Sequence, residues 1–324
     1  MSDPIVSTIT SSYRAERYLE TFLRCAAEQT IFDKIEIVLD HNDPSETELN
    51  LVRAFSERHP GRIRHIVTRP VRPLGSSWNA CIRSAKGRYL TIWNVDDLRT
   101  PNSLEAQVTA LMRQPQAGLV FGDFKVVSEF GSNDGTLVRN RDLPAEEHHR
   151  GMTIGPFFMF KAELCERAGL FDEQLLSGAD FDFALRLLSH SSWTYTSELL
   201  GYFLSAAQGL STRPDSLQWI EKNVVYMRYG IWDKFEIAAL PRMRSYDSYG
   251  LLIEGKRVPV ADGFRDYEET MRRRDASWLP LLNAPSPTRE RLAGVIAAAA
   301  ARARRYGGAA RVLARAVGRG ARGT

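Results

Sequence analysis

Two adjacent carboxylates, Asp96 and Asp97, close the apolar run of LTIWNVDDLRTP (90–101), with Asn94 just ahead of them. Neighbouring like charges repel, and the repulsion grows away from water, so such a pair needs either a cation or full solvation. One chemistry suits it. A hard divalent cation, Mg2+ or Mn2+, takes one or two protein carboxylates and completes its shell with water and phosphate oxygens. So placed, it stabilises a departing diphosphate as a Lewis acid. The plainer reading is a helix N-cap, because Asp97 lies shortly before Pro101 and the stretch PNSLEAQVTALMRQ (101–114). The pair alone does not decide between them.

Its context is more informative. Ser11-Ser12-Tyr13, Asp40-His41-Asn42-Asp43 and Asn94-Val95-Asp96-Asp97 each follow an apolar segment that reads as a buried strand: PIVSTITSSY (4–13), KIEIVLD (34–40) and YLTIW (89–93). RIRHIVTR (62–69) adds a fourth strand by alternation, and GLVFGDFKVV (118–127) a fifth. Between them, helical spacing appears at 15–29, 46–59, 75–87 and 101–114. Such an alternation predicts a mostly parallel, doubly wound α/β sheet, whose ligands bind at the carboxyl ends of strands. There is no G-x-x-x-x-G-K-[ST] loop and no G-x-G-x-x-G after a strand, so P-loop and dinucleotide-binding chemistry lose support. Arg69 and Arg72 follow the fourth strand on the same side, as phosphate contacts or solvated loop residues.

The rest of the chain reads less regularly. Residues 128–150 are polar and turn-rich, hence a loop or hairpin, and within them Glu146-Glu147-His148-His149 lacks the i, i+4 histidine spacing of a metal site and reads as a solvated charge run. IGPFFMF (154–160) reads as a strand, KAELCERAG (161–169) and SGADFDFALRLLSH (177–190) as helices, and SWTYTSELLGYFL (192–204) as a strand. Beyond about 215 the pattern turns helical. NAPSPTRE (283–290) is a linker, and an Ala/Arg-rich tail follows.

Charge and cysteine usage set limits on the setting. From Thr288 onward nine arginines against the single acid Glu290 leave +8, and the chain total of +4 then leaves −4 for residues 1–287. The basic character belongs to the tail, so nucleic acid is not an expected partner of the body. Cys25, Cys81 and Cys165 are scattered and odd in number, which suits a reducing, cytoplasmic location; MSDPIV has neither the basic nor the apolar part of a signal peptide. Leu292, Val295, Ile296 and Ala299 make an apolar stripe beside arginines. That stripe reads as a peripheral membrane contact, as a basic tail, or as a helix packed on the acidic body.

IVSTITSSYRAERYLETFLRCAAEQT, IEIVLDHND, RPLGSSWNACIRSAKGRYLTIWNVDDLRTPNSLE, and FKAELCERAGLFDE followed by SGADFDFALRLL resemble, in order and spacing, the GT-A-fold family 2 glycosyltransferases. The resemblance covers residues 4–212. It implies a nucleotide-sugar donor, usually uridine-based, a saccharide, lipid-linked or small-molecule hydroxyl acceptor, and inversion at the anomeric carbon. It implies that Ser11, Tyr13, Asp40 and His41 read the base and ribose. Asp96 falls on the metal-binding Asp of the family's DXD motif, Asn94 replaces its first Asp, and Asp97 is the extra acid that often follows. Asp180 falls on the catalytic base, with Asp182 and Arg186 completing its helix; a positioned carboxylate can take the acceptor's proton as its oxygen attacks. The chain departs from the pattern at Asn94, at His41 where an Asp often reads the base, and at Ala179 where a Glu is usual. Ser205 and Gln208 stand near the place where many members carry a His.

The expected architecture is therefore a Rossmann-like GT-A domain over 1–215, split into a nucleotide-binding half (1–127) and an acceptor half (128–215). A mainly helical extension (216–287) and the tail (288–324) follow. Two rivals stay open: a nucleotidyltransferase, although TSSYRAER lacks the Gly-rich loop such enzymes show, and a non-catalytic sugar- or partner-binding relative.

Overall fold

The apolar run after Pro4 is buried on both faces, as a central parallel strand must be, and forms β1 (Val6–Tyr13). The computed structural model describes residues 3–140, 145–148, 151–205 and 217–229, with short pieces at 231, 234–236, 239, 250–253 and 256–259. Helix α1 (Glu16–Ala27) turns Leu19, Phe22, Leu23 and Ala26 inward. Strand β2 (Ile35–Asn42) runs parallel to β1, with Ser11 beside Asp40 and Tyr13 beside Asn42. Helix α2 (Glu46–Arg58) starts at a capping box made by Ser45 and Glu48. Strand β3 (Ile63–Thr68) joins β2 in parallel, α3 (Leu74–Ser84) crosses back, and β4 (Tyr89–Ile92) pairs with the other side of β1.

The second half is mixed rather than parallel. It holds β5 (Leu98–Arg99), α4 (Ser103–Arg113), β6 (Ala117–Val127), β7 (Thr136–Val138), the turn α5 (Ala145–His148), β8 (Met159–Lys161), α6 (Leu164–Ala168), α7 (Ala179–His190) and β9 (Ser192–Leu204). The strand order is β3-β2-β1-β4-β8-β6-β9-β5, with β7 alongside β6. β8 is antiparallel to both neighbours, β6 and β9 are parallel, and β5 is antiparallel to β9. Of the expected strand over 154–160 only Met159 and Phe160 enter the ladder, in a strand that runs on to Lys161, although Phe157, Phe158 and Phe160 are all buried.

β4 and β5 lie close in the chain but far apart in the strand order. The residues between them, 93–97, can reach no more than about 18 Å. The far edge must therefore curl back over β4, and it does: Arg99 donates to Thr91 Oγ1 at 2.6 Å and to the Ile92 carbonyl at 3.1 Å. Gly201 makes the curl feasible, because a Cβ there would collide with the Leu98 carbonyl and the Phe157 ring. The curl brings the end of β9 onto the turn that leaves β4. Trp93, packed edge-on against Phe22 with ring centroids 5.3 Å apart, pins that turn by donating Nε1–H to the Asp97 carbonyl at 2.9 Å.

One expectation fails here. His148 is buried, hydrogen-bonded to Thr153 at 2.8 Å and packed on Phe121 and Trp193, so this member of the expected charge run is not solvated; His149 lies outside the described residues. The aromatic neighbours of His148, distant in sequence, supply a burial that local polarity could not announce.

Two compact units divide the chain, Met1–Thr212 and Arg213–Thr324. In the second, α8 (Leu217–Arg228) carries Asn223, which donates to the Trp219 carbonyl at 2.9 Å and accepts from the Glu236 N–H at 2.7 Å. An antiparallel hairpin, β10 (Gly250–Ile253) and β11 (Lys256–Pro259), interrupts the expected helical run. Most of 216–287, Gln208, and the whole tail with its apolar stripe lie outside the described residues. No helix among the described residues is long and apolar enough to cross a membrane.

Candidate active site

Strand alternation divides the residues at the end of β2 between the two faces of the sheet. Asp40 and Asn42 face α3, whereas His41 faces α2. Asp40 is fully buried: its Oδ1 accepts the Thr68 hydroxyl at 2.6 Å, and its Oδ2 accepts the Ser77 hydroxyl at 2.6 Å and Asn42 Nδ2–H at 3.1 Å. Arg72 Nε lies 3.5 Å from Oδ2, and the Arg72 backbone N–H donates to Asn42 Oδ1 at 3.0 Å. Ser11 joins through the Ser77 hydroxyl at 2.7 Å. Both oxygens of the Asp40 carboxylate are thus met by protein donors.

Tyr13 stands exposed at the mouth of this network, with the Arg14 guanidinium 5.0 Å above its ring. Arg14 (φ 50°) and Asp43 (φ 48°), just past the ends of β1 and β2, both hold left-handed backbone. That conformation is unfavourable for a non-glycine residue, and such strain concentrates where a ligand is met. His41 is buried on the opposite side, with its Nδ1 3.1 Å from His65 Nε2 and its Nε2 3.6 Å from Glu48 Oε1. Burial lowers the pKa of both imidazoles, that of His65 to about 4. His41 and Asp40 are sequence neighbours that do not share a face.

The acidic turn is built differently. Asp97 is buried, with Oδ1 accepting the Leu204 N–H at 3.1 Å and Oδ2 accepting Asn94 Nδ2–H at 3.3 Å. Burial, and then the neighbouring Asp96, push its pKa up to about 8. Asp96 is half-buried, and burial raises its pKa too, against the opposing field of Arg17. Beneath the turn, the buried Arg99 guanidinium spends its bonds on the neutral acceptors Ser103, Gln107, Thr91 and Ile92. Ionised together, the two carboxylates would carry more negative charge than the turn's surroundings balance, and both therefore resist losing their protons.

Those donors fit a divalent cation of a particular kind. Asp97 has both oxygens committed to protein donors, so the half-buried Asp96 is the carboxylate of the pair that could offer a hard oxygen to an ion. Among the described residues no group of three His, Cys, Asp or Glu side chains gathers to hold a metal unaided. An ion with one or two protein ligands and the remainder from phosphate and water suits this set.

Asp180 lies in the first turn of α7, where its Oδ1 accepts the Phe181 N–H at 2.8 Å. Asp182, fully buried, accepts from Arg186 Nε (2.9 Å) and from an Arg186 terminal nitrogen (2.8 Å). Arg186 also donates to the carbonyls of Ala168 and Leu170. The approach to α7 is pinned to α3: Asn79 donates to the Phe171 carbonyl at 3.0 Å and accepts the Phe171 N–H at 2.9 Å, and Ser76 donates to Glu173 at 2.7 Å. One helix thus holds the Asp40 network through Ser77 and the loop leading to Asp180 through Asn79.

The Glycosyl transferase family 2 profile matches residues 7–169, half of the chain, from β1 through the acidic turn to the end of α6. The chain belongs to that family. This family 2 glycosyltransferase is similar to an uncharacterized glycosyltransferase of Methanocaldococcus jannaschii, 23% identical over 71% of this chain and 79% of that protein. Chondroitin synthase of Pasteurella multocida is 23% identical over 57% of this chain, which spans only 19% of that protein's length. The GT-A fold is shared with S. aureus TarS 1–349 in complex with UDP-GlcNAc (TM-score 0.55, 15% identity, 74% of this chain and 72% of that one). It is also shared with mannosyltransferase PcManGT from Pyrobaculum calidifontis in complex with GDP-Man and Mn2+ (TM-score 0.50, 18% identity, 98% and 80%). Family membership takes the place of the nucleotidyltransferase alternative.

Sequence reasoning missed Ser77, Asn79, Arg99 and Glu48. Ser77 and Asn79 flank Trp78 within an otherwise amphipathic helix, and polar residues on such a buried stretch were the available signal. Arg99 had none, since a two-residue strand carries no periodicity.

Proposed function

We propose that this family 2 glycosyltransferase moves a sugar, with inversion, from a nucleoside diphosphate donor to a hydroxyl acceptor, and that the donor is uridine-based. The observation that carries this reading is the unbalanced carboxyl pair of the Asn94–Asp97 turn at the carboxyl end of β4, on the sheet edge where Ser11, Tyr13 and Asp40 also end. Asp96, with the donor's diphosphate, would hold Mg2+ or Mn2+, and the ion would stabilise the leaving diphosphate as a Lewis acid. Asp97 positions the turn by gripping the Leu204 N–H and Asn94. Asp180 takes the acceptor hydroxyl's proton as that oxygen bonds to the anomeric carbon and the carbon–phosphate oxygen bond breaks. Its carboxylate is oriented by Phe181 N–H, and its helix is held in place by the Asp182–Arg186 pair. Ser11, Tyr13 and the Asp40 network receive the nucleoside. Three free cysteines agree with a reducing, cytoplasmic setting. UDP-GlcNAc in TarS supports the uridine preference, and Mn2+ with GDP-Man in the mannosyltransferase supports the metal.

The test is calorimetry with UDP, GDP, dTDP and ADP, each with and without Mn2+, on wild type and Asp96→Ala. Metal-dependent binding of UDP, lost in Asp96→Ala, is the expected result. A folded wild type that binds no nucleotide in the presence of Mn2+ overturns the reading and favours the non-catalytic relative, for which Asn94 and the small ligand set speak.

A further inference from the structure

Both left-handed residues at the donor side are followed by an amide that ends on the same carboxylate. After Arg14, the Ala15 N–H donates to Glu48 Oε1 at 2.8 Å; after Asp43 and Pro44, the Ser45 N–H donates to Glu48 Oε2 at 2.9 Å. Glu48 is buried, and its own N–H is held by Ser45 Oγ at 3.2 Å. A capping box ordinarily satisfies one helix. Here the same side chain reaches a second element, the start of α1, and so ties the exit of β1 to the exit of β2.

His41 completes the arrangement from beneath. Its Nε2 faces Glu48 Oε1 at 3.6 Å, and its Nδ1 is 3.1 Å from His65 Nε2. If His41 Nδ1 carried the shared proton, a bare Nε2 lone pair would face the carboxylate. The favourable tautomer has His65 Nε2–H donating to His41 Nδ1, which leaves His41 Nε2–H pointing at Glu48. The groups facing the carboxylate are therefore three N–H groups, from the starts of α1 and α2 and from β2; Asp40 acts on His41 from across the sheet, and Glu16 accepts the Ser45 hydroxyl.

We infer that Glu48 is a positioning residue for the donor: by clamping Ala15 and Ser45 together it holds Tyr13, Arg14 and Asp43 in the strained geometry that receives the nucleoside. The inference rests on the donor reading given above. It deepens that reading by naming a residue that touches no substrate.

Glu48→Gln tests it, because an amide can accept only one of the two N–H groups and must turn its own NH2 toward the other. The expected result is faster amide hydrogen exchange at Ala15 or Ser45, UDP binding in the presence of Mn2+ weakened about tenfold, and a raised donor KM. At saturating donor, kcat should stay within about twofold, since Asp180 is untouched. Equal UDP affinity in a folded Glu48→Gln overturns the inference while leaving the donor reading intact. Wild type that binds no nucleotide overturns both. If Glu48→Gln does not fold, Glu48→Asp, which keeps the charge but is one methylene too short to hold both the Ala15 and Ser45 amides, serves instead: weaker UDP binding supports the clamp, and unchanged binding overturns it.

Discussion

The two acidic centres on the donor edge of the sheet are opposites in how they are satisfied. Asp40, at the end of β2, is surrounded by donors the protein itself provides, from Thr68, Ser77, Asn42 and Arg72. Asp96 and Asp97, at the end of β4, crowd two carboxyl groups into a largely buried turn, and the buried Arg99 guanidinium near it is bonded to neutral groups. The first is a finished piece of structure; the second, on the function proposed above, is completed by a cation. Burial of a carboxylate does not by itself mark a reactive site. The difference lies in whether the folded chain already balances the charge.

The largest expected effect leaves both centres alone. Asp180→Asn keeps the Phe181 N–H contact but removes the base, and should lower kcat about 10³-fold with UDP affinity unchanged. Parallel losses of affinity and kcat would count against it. The contrast itself is tested by stability. Asp40→Ala leaves the Thr68 and Ser77 hydroxyls and the Arg72 guanidinium without their acceptor, and should cost about 3 kcal/mol in denaturant unfolding. Asp96→Ala removes one of two repelling charges, and should leave metal-free stability unchanged or raise it by up to about 1 kcal/mol. If both substitutions destabilise equally, the distinction between the two centres is void.

Titration sharpens the same contrast, because the two sides slope in opposite directions. His65, lowered to about 4 when folded, excludes a proton that the unfolded chain holds up to about 6.5, so stability climbs as pH rises across that window. Asp97, raised to about 8, keeps a proton that the unfolded chain sheds near 3.9, so stability falls as pH rises toward 8. Above 6.5 the His65 contribution is complete, and the slope belongs to the acidic turn, Asp97 with its neighbour Asp96. The metal-free protein should lose at most about 1.4 kcal/mol per pH unit there. Thermal melts of Asp97→Asn should show that decline flattened, and an unaltered slope would refute the assignment. The smallest effect is Asn94→Asp, expected to tighten Mn2+-dependent UDP binding a few-fold, or about 1 kcal/mol, by adding a charge to the turn.

Much of this was legible in the residues. The β/α alternation through Val127 and the polar clusters at three strand ends required only periodicity, and they located the crevice. Where topology decided, periodicity was silent. Nothing in IGPFFMF distinguishes an antiparallel β8 from another parallel strand, and Leu98–Arg99 is too short to announce that it pairs across the curl with Gly201 and Tyr202. His41 is the instructive case. Its pairing with Asp40 as a base-reading unit is implied by family likeness, yet the two-residue period of a strand already assigns them to opposite faces. Ser45-x-x-Glu48 has the spacing of a capping box, a signal left unread, and the second partner of Glu48, the Ala15 amide, lies 33 positions away and could be found only in three dimensions.

Helix α3 has a consequence for anyone who would rebuild this enzyme. Ser77 and Asn79 fasten the same eleven-residue segment to the nucleoside network and to the loop ahead of Asp180. A chimera joined after Val127 would seem natural, since the alternating half ends there. It would part Asn79 from Phe171 and Ser76 from Glu173, and so exchange the acceptor half without the pins that register it. A graft that keeps its geometry must carry α3 together with 171–173 as one cassette, so the end of β2 and the approach to α7 are inherited as a pair in this scaffold.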